Sequence, residues 1–260
     1  MTKPLPLITP KQQAILKLIY KYRFPNRIQI QTLLKHKDKR RIISWLKDLR
    51  DKQYVDWHYN PNDFIAKSQP AIYYLSLNGI RYLRSLNEYP SQELRKRYKE
   101  PARTKAFIDH CLLIADCCIA LQAKSNDELK YVCVLPADYI DPDSEYHFLD
   151  GINPHLFFAK QQSSKTTNYL LENFEQTLPR YQLRKRVKDC IEYLADWDEA
   201  NGTAPIALFI CPNVADLLYV KRRIKKLIEE DWPNEELHFR VTTLDKVQAS
   251  GVASMIWEEV

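Results

Sequence analysis

Between Gly151 and Thr177 the chain reads GINPHLFFAKQQSSKTTNYLLENFEQT, two short apolar runs on either side of a polar stretch, the pattern of a β-hairpin. His155 opens the first run and Glu172 stands near the end of the second, at strand positions otherwise filled by Leu, Phe and Tyr. An imidazole beside a carboxylate could hold a transition metal or handle a proton. One carboxylate is too few for Mg²⁺, a hard cation that wants several oxygens. Glu175, Lys160 and Lys165 are near enough to supplement the pair, and the acidic loop with Asp141, Asp143, Glu145 and Asp150 could hold a cation or simply be solvated. The architectural alternative for Glu172 is a strand-end carboxylate paired to Arg184 or Arg186. His110 and Asp116, six apart on an apolar helix, point to different sides, and His110 reads as a satisfied core histidine.

A second constellation is basic. Lys35, Lys37, Lys39, Arg40, Arg41 and Lys47 cluster on one helix and its approach, and His58, Asn60, Asn62 and Lys67 follow in a loop. Such a patch suits the phosphates of double-stranded DNA; its alternative is a solvated face on a protein-docking module. Which side chains would read bases is open.

These residues need elements to position them. Thr9 and Pro10 suit the start of a first helix with Ile15, Leu16, Leu18, Ile19 and Tyr20 as its apolar stripe, ended at Phe24-Pro25-Asn26. A second helix runs from Ile28 to Leu34. A charged link, Lys35 to Asp38, leads to a third with Ile42, Ile43, Trp45, Leu46 and Leu49 facing inward. YVDWHY and AIYYLSL read as two strands with a long polar connection, and Asn78 to Leu86 as a closing helix. Three helices, a ribbon and a helix form the plan of a winged helix-turn-helix domain, expected over residues 1–88, whose third helix enters the major groove. Residues 89–105, polar, basic and broken by Pro90 and Pro101, read as a linker. Residues 106–260 pattern as α, β, β, β, α, β, α, β: an apolar helix from Ala106 to Ala123, LKYVCVLP, the hairpin, a helix from Leu183 to Asp198, PIALFICP, an amphipathic helix from Val214 to Glu230, and LHFRVTTL. That order predicts a mixed sheet flanked by helices, hence an α+β chain overall.

Composition narrows the class. Up to Lys105 there are 23 Lys plus Arg against 8 Asp plus Glu, and thereafter 16 against 25, within a net charge of +6. The basic part is expected to meet a polyanion and the acidic part to do something else. Four glycines leave no Gly-rich phosphate loop. The six cysteines lie in apolar periodic segments without CxxC spacing and the histidines without HxxxH, which favours reduced thiols over disulfides or zinc, and no bound metal is expected. MTKPLPLITPKQQ lacks the apolar core of a signal peptide and no membrane-length apolar run occurs, so the expected location is the cytoplasm, with no membrane partner.

TPKQQAILKLIYKYRF, the ending YYLSLNGIRYL, the helix HCLLIADCCIAL, the strands INPHLFF and NYLLENFEQT, and RKRVKDCIEYL together resemble the replication-relaxation family over nearly the whole chain. The resemblance implies a plasmid or mobile-element protein whose winged helix precedes a domain similar to the PD-(D/E)XK, or restriction-endonuclease-like, nuclease fold. In that superfamily an Asp opening one strand and a Glu on the next bind divalent metal, and a Lys two residues after the Glu assists the attacking water. Here those positions hold His155, Glu172 and Phe174, so only the Glu is kept and no catalytic residue is assigned. The reading is a non-enzymatic DNA-binding protein acting in replication, mobilisation or transposition, its nuclease-like domain a degenerate scaffold. The expected partners are double-stranded DNA, other replication, transfer or transposition proteins, and a second copy in a homodimer. The Val214 to Glu230 helix is a candidate second DNA surface. The alternatives are a metal-dependent nuclease or nickase, needing Mg²⁺, and a transcriptional repressor; no cofactor is expected otherwise.

Overall fold

The first helix begins where the sequence says it should. Thr9 caps α1 (Pro10–Tyr22): its hydroxyl accepts the Gln12 N–H and the Gln12 side chain accepts the Thr9 N–H, a reciprocal box behind a first-turn proline. Asn26 caps α2 (Arg27–Leu33) by accepting the Ile28 and Gln29 N–H groups, and Asp38 caps α3 (Lys39–Asp51) by accepting those of Arg40 and Arg41. Strands β1 (Val55–His58) and β2 (Ile72–Leu75) pair antiparallel, and α4 (Leu77–Ser85) follows. The computed structural model describes residues 4–59, 62 and 68–260; Asn60 and Lys67, in the connection between β1 and β2, lie outside them.

The fold is mixed α/β, and the chain parts into two compact units, residues 1–119 and 120–260. In the first, Ile15, Leu16, Ile19, Ile30, Ile42, Leu46, Leu49, Leu75, Ile80 and Leu83 are buried. Positions 42, 46 and 49 share one face of α3, so Ile43, expected inward, lies off that stripe and is 44% exposed. At Gly79 an added Cβ would fall 2.2 Å from the Tyr54 carbonyl oxygen, which already accepts the Ser76 N–H; only glycine lets α4 begin this close to β1.

The stretch read as a linker is folded. It forms α5 (Ser91–Lys96), a 3-10 helix (Arg97–Ala102) and the start of α6 (Lys105–Lys124). Its few apolar residues made it look solvated, but Leu94, Arg97 and Glu100 are all buried. Arg23 donates through Nε and Nη2 to Glu100 Oε1 at 3.1 and 2.6 Å, Arg97 Nη1 approaches the same oxygen at 3.4 Å, and Arg97 lies over the Tyr20 ring at 5.0 Å. Charge pairing buries what hydrophobicity alone would leave outside. Most of α6 belongs with this unit: Ile108 and Cys111 pack with Phe24 and Tyr74, and Gln29 donates to Asp116 at 2.7 Å. α6 is long and apolar enough to cross a membrane by length and composition alone.

The second unit is built on six strands ordered β3 (Leu129–Val134), β4 (Leu156–Gln162), β5 (Lys165–Asn173), β6 (Ile206–Cys211), β7 (Phe239–Thr243) and β8 (Glu258–Glu259). The first three pair antiparallel, β5 to β7 parallel, and β8 antiparallel to β7. The parallel steps are crossed by α8 (Arg180–Ala195) and α9 (Val214–Asp231), the expected mixed sheet. Short helices α7 (Pro136–Tyr139) and α10 (Leu244–Ser250) complete the unit. Phe157, Leu170, Phe209 and Val241 on one sheet face pack with Leu183, Val187, Ile191, Val220 and Ile224 of α8 and α9. The hairpin is longer than its apolar runs: AKQQSSKTT is mostly strand, with Gln162 opposite Lys165 and Ser163 at φ 55° in the turn. Strand pairing continues past the core, where side chains on both faces meet water.

Candidate functional site

The basic constellation and the carboxylate pair fall in different units. Lys35, Lys37, Lys39, Arg40, Arg41 and Lys47 are all exposed. Arg40, Ile43, Ser44 and Lys47, spaced by three and four, form a solvent-facing stripe opposite the buried Ile42, Leu46 and Leu49. The charged link is fixed to the helix: Asp38 donates its N–H to His36 Nδ1 at 3.1 Å, and the His36 ring meets Trp45 edge-on at 5.0 Å. His58 stands apart from this surface. Its ring packs 4.8 Å from Tyr74 and 5.8 Å from Phe24, and among the described residues its buried Nε2 has no hydrogen-bond partner. The β1 side chain beside α3 is instead Trp57, with Arg50 of α3 stacked on its ring at 3.7 Å. Ile43, Arg50 and Trp57 were missed as surface candidates, because an aliphatic residue in an apolar helix stripe and an aromatic in a strand read as core.

In the second unit the hairpin register brings His155, just before β4, beside Glu172 of β5. Glu172 is 1% exposed and points to the face that α8 covers. Arg186 of α8 grips it with both ends of its fork, Nε to Oε2 at 3.0 Å and Nη2 to Oε1 at 2.6 Å. The same guanidinium donates to the carbonyls of Ile152 and Asn153, each at 2.7 Å. Of the two arginines open for this pairing, Arg186 is the one chosen. Burial works against its charge, but Glu172 more than compensates and raises its pKa.

His155 Nδ1 lies 3.0 Å from the Asn173 N–H, which donates to it, and 3.2 Å from Glu172 Oε2. The ring is 32% exposed, yet its Nδ1 edge faces buried Glu172 and Asn173. Burial and the Arg186 charge push its pKa down, so the ring is neutral and its contact with Glu172 is packing, not an ion pair. Tyr139 closes the cluster, donating to Asn153 Oδ1 at 2.6 Å; burial and Glu172 push its hydroxyl pKa up. Phe174 is buried against Phe209, ring centroids 5.2 Å apart, with no group to move a proton.

This donor set does not fit a divalent cation. Both Glu172 oxygens carry Arg186 hydrogens, the His155 lone pair is taken, and a guanidinium supplies the positive charge a metal would bring. Nor do the neighbours supplement it. Lys160 projects from the opposite face of the sheet, and Lys165 is exposed at the turn. In the acidic loop, Asp138 Oδ2 accepts the Leu135 N–H to cap α7, and Asp141 Oδ1 accepts the Asp143 N–H. Among the described residues no three His, Cys, Asp or Glu side chains converge as metal ligands. On α9, Lys221 pairs with Glu258 at 3.5 Å, while Arg222, Lys225 and Lys226 are exposed.

No curated protein and no solved structure matches the chain. The sequence model of one family does, over residues 16–196, from within α1 through the whole of α8 and so across both the basic helix and the Glu172–Arg186 clamp. With well over half its length covered, the chain belongs to the replication-relaxation family.

Proposed function

We propose that the chain is a DNA-binding protein of a plasmid or other mobile genetic element, acting in the cytoplasm in replication, mobilisation or transposition. It holds double-stranded DNA through the first unit, as a winged helix, and carries the second as a nuclease-like scaffold that does not cut. The observation that carries this reading is the exposed basic stripe on α3, the third helix in an order that leaves that helix free for the major groove. Lys35, Lys37, Lys39 and Arg41 neutralise phosphates on either side, and Arg40, Ser44 and Lys47 face the base edges. Ile43, between them, offers an apolar contact for a thymine methyl. The connection between β1 and β2 lies along the backbone.

The scaffold role rests on the Arg186 clamp and on Phe174. A carboxylate held by both oxygens cannot also hold a cation, and a phenyl ring cannot activate water. Family membership supports a role in replication.

The test is duplex binding measured across a salt series. Replacing Arg40 and Arg41 together by Ala should weaken binding and flatten the slope of log K against log salt by about 2, since each phosphate contact contributes about 0.9. An unchanged slope would move the interface off α3. Incubation with supercoiled plasmid and Mg²⁺ or Mn²⁺ should leave it intact; nicking abolished by Glu172→Ala would replace the scaffold with a working nuclease.

A further inference from the structure

The face of the six-stranded sheet turned away from α8 and α9 carries a cavity of about 400 Å³, within the range of small-molecule sites. Its floor is aromatic. Tyr131 of β3, Phe158 of β4 and Tyr169 of β5 form a row across neighbouring strands: Phe158 and Tyr169 stack with centroids 4.7 Å apart and planes 15° apart, and Tyr131 lies 6.2 Å from Phe158. The register explains the row, since Phe158 faces Tyr169 directly and Tyr131 diagonally. Trp257 forms a wall, held by its indole N–H donating to the Val252 carbonyl at 2.9 Å. Phe158 is buried, whereas Tyr131, Tyr169 and Trp257 are half-buried and present ring surface to the cavity.

Two cations border these rings. Lys160, two residues beyond Phe158 on the same face, makes no ion pair among the described residues. Arg240 of β7 is near enough to Tyr169 to act on its hydroxyl, and donates to Glu259 at 2.9 Å. That partner is 78% exposed, so the arginine can exchange it for an incoming anion at little cost. An apolar ligand would leave both charges unanswered, and an inorganic anion would leave the rings unused.

We propose that this cavity binds a nucleotide, its base against the tyrosine and tryptophan rings and its phosphate between Lys160 and Arg240. Aromatic platforms beside cations are the arrangement that holds unpaired bases irrespective of sequence. The same chemistry is offered by a free mononucleotide and by a nucleotide within a single DNA strand, a form a duplex buries in its stack. The site is separate from α3, so either reading can fail alone.

The experiment uses the full chain with Arg40→Ala and Arg41→Ala, which silences the basic stripe. Two probes are titrated: a fluorescein-labelled oligothymidylate of about 15 nucleotides, matched to typical single-strand site sizes and followed by anisotropy, and thymidine monophosphate, followed by calorimetry. At least one should bind; the oligonucleotide alone identifies a strand, the monophosphate a free nucleotide. Tyr131→Ala should weaken that binding about tenfold, the loss of one stacked base, and Tyr131→Phe should restore it. Lys160→Ala should weaken it less and reduce its salt dependence. Because Lys160 is half-exposed, that variant carries the test if melting shows Tyr131→Ala to be unfolded. No binding of either probe, or binding that these substitutions leave unchanged, overturns the proposal.

Discussion

Arg40 and Arg186 are the same residue type on two amphipathic helices, and the structure uses them in opposite ways. On α3 the arginine is exposed beside other cations, and its fork remains available to an outside partner. On α8 the fork is spent on one buried carboxylate and two carbonyls. A solvated cation keeps its charge available for a polyanion at little cost to stability. A cation paired with a 1% exposed carboxylate becomes part of the architecture, because releasing it would strand a charge inside. The site resembling a nuclease centre is therefore the rigid one, and the region able to act on DNA is the plain basic helix.

The largest expected effect comes from breaking the buried side of this contrast. Glu172→Ala leaves Arg186 without its carboxylate and should cost about 3–5 kcal/mol, seen as a large fall in melting temperature of the second unit. A Glu172→Gln substitution that melts like the parent would show the clamp to be far weaker than its geometry implies.

Next is Gly79→Ala, which tests whether α3 depends on the frame that presents it. The new Cβ would meet a backbone oxygen at 2.2 Å, and the shift needed should cost about 1–3 kcal/mol and weaken duplex binding although Gly79 touches no basic residue.

A smaller effect, from His155, sharpens the comparison through pH. Its folded pKa lies below the ordinary value of 6.5, so the folded protein binds fewer protons than the unfolded chain as the pH falls below that value. The stabilisation is fully present above about pH 6.5 and is lost progressively at lower pH. Denaturant melts at pH 7 and 5.5 should show a decline that His155→Asn reduces; an equal decline in both would mean the ring is already charged at neutral pH.

The least stability change belongs to the exposed side. Arg40→Ala with Arg41→Ala should move stability by no more than about 0.5 kcal/mol while weakening DNA binding, so a large fall in melting temperature would erase the distinction between the two regions.

Much of the frame was legible because it rests on local chemistry. Thr9 and Pro10 announce α1, the alternating runs announce the hairpin, and the strand and helix order of residues 106–260 appears as patterned, with α10 and β8 added after it. The segment 89–105 was not legible, since Arg97 and Glu100 are buried only by virtue of Arg23, more than seventy residues earlier, and Tyr20. His58 belonged to a basic loop by composition, and ring packing removes it. Ile43 looked like core until the helix phase put it outside.

The sequence by itself determined which segments become helices and strands, that the positive charge is concentrated in the part ending at Lys105, and that Phe174 can move no proton. Only the tertiary structure decided which charges remain free. Whether an arginine is a ligand for DNA or a brace for a carboxylate depends on what faces it, and Glu172 meets Arg186 only after β5 and α8 pack together.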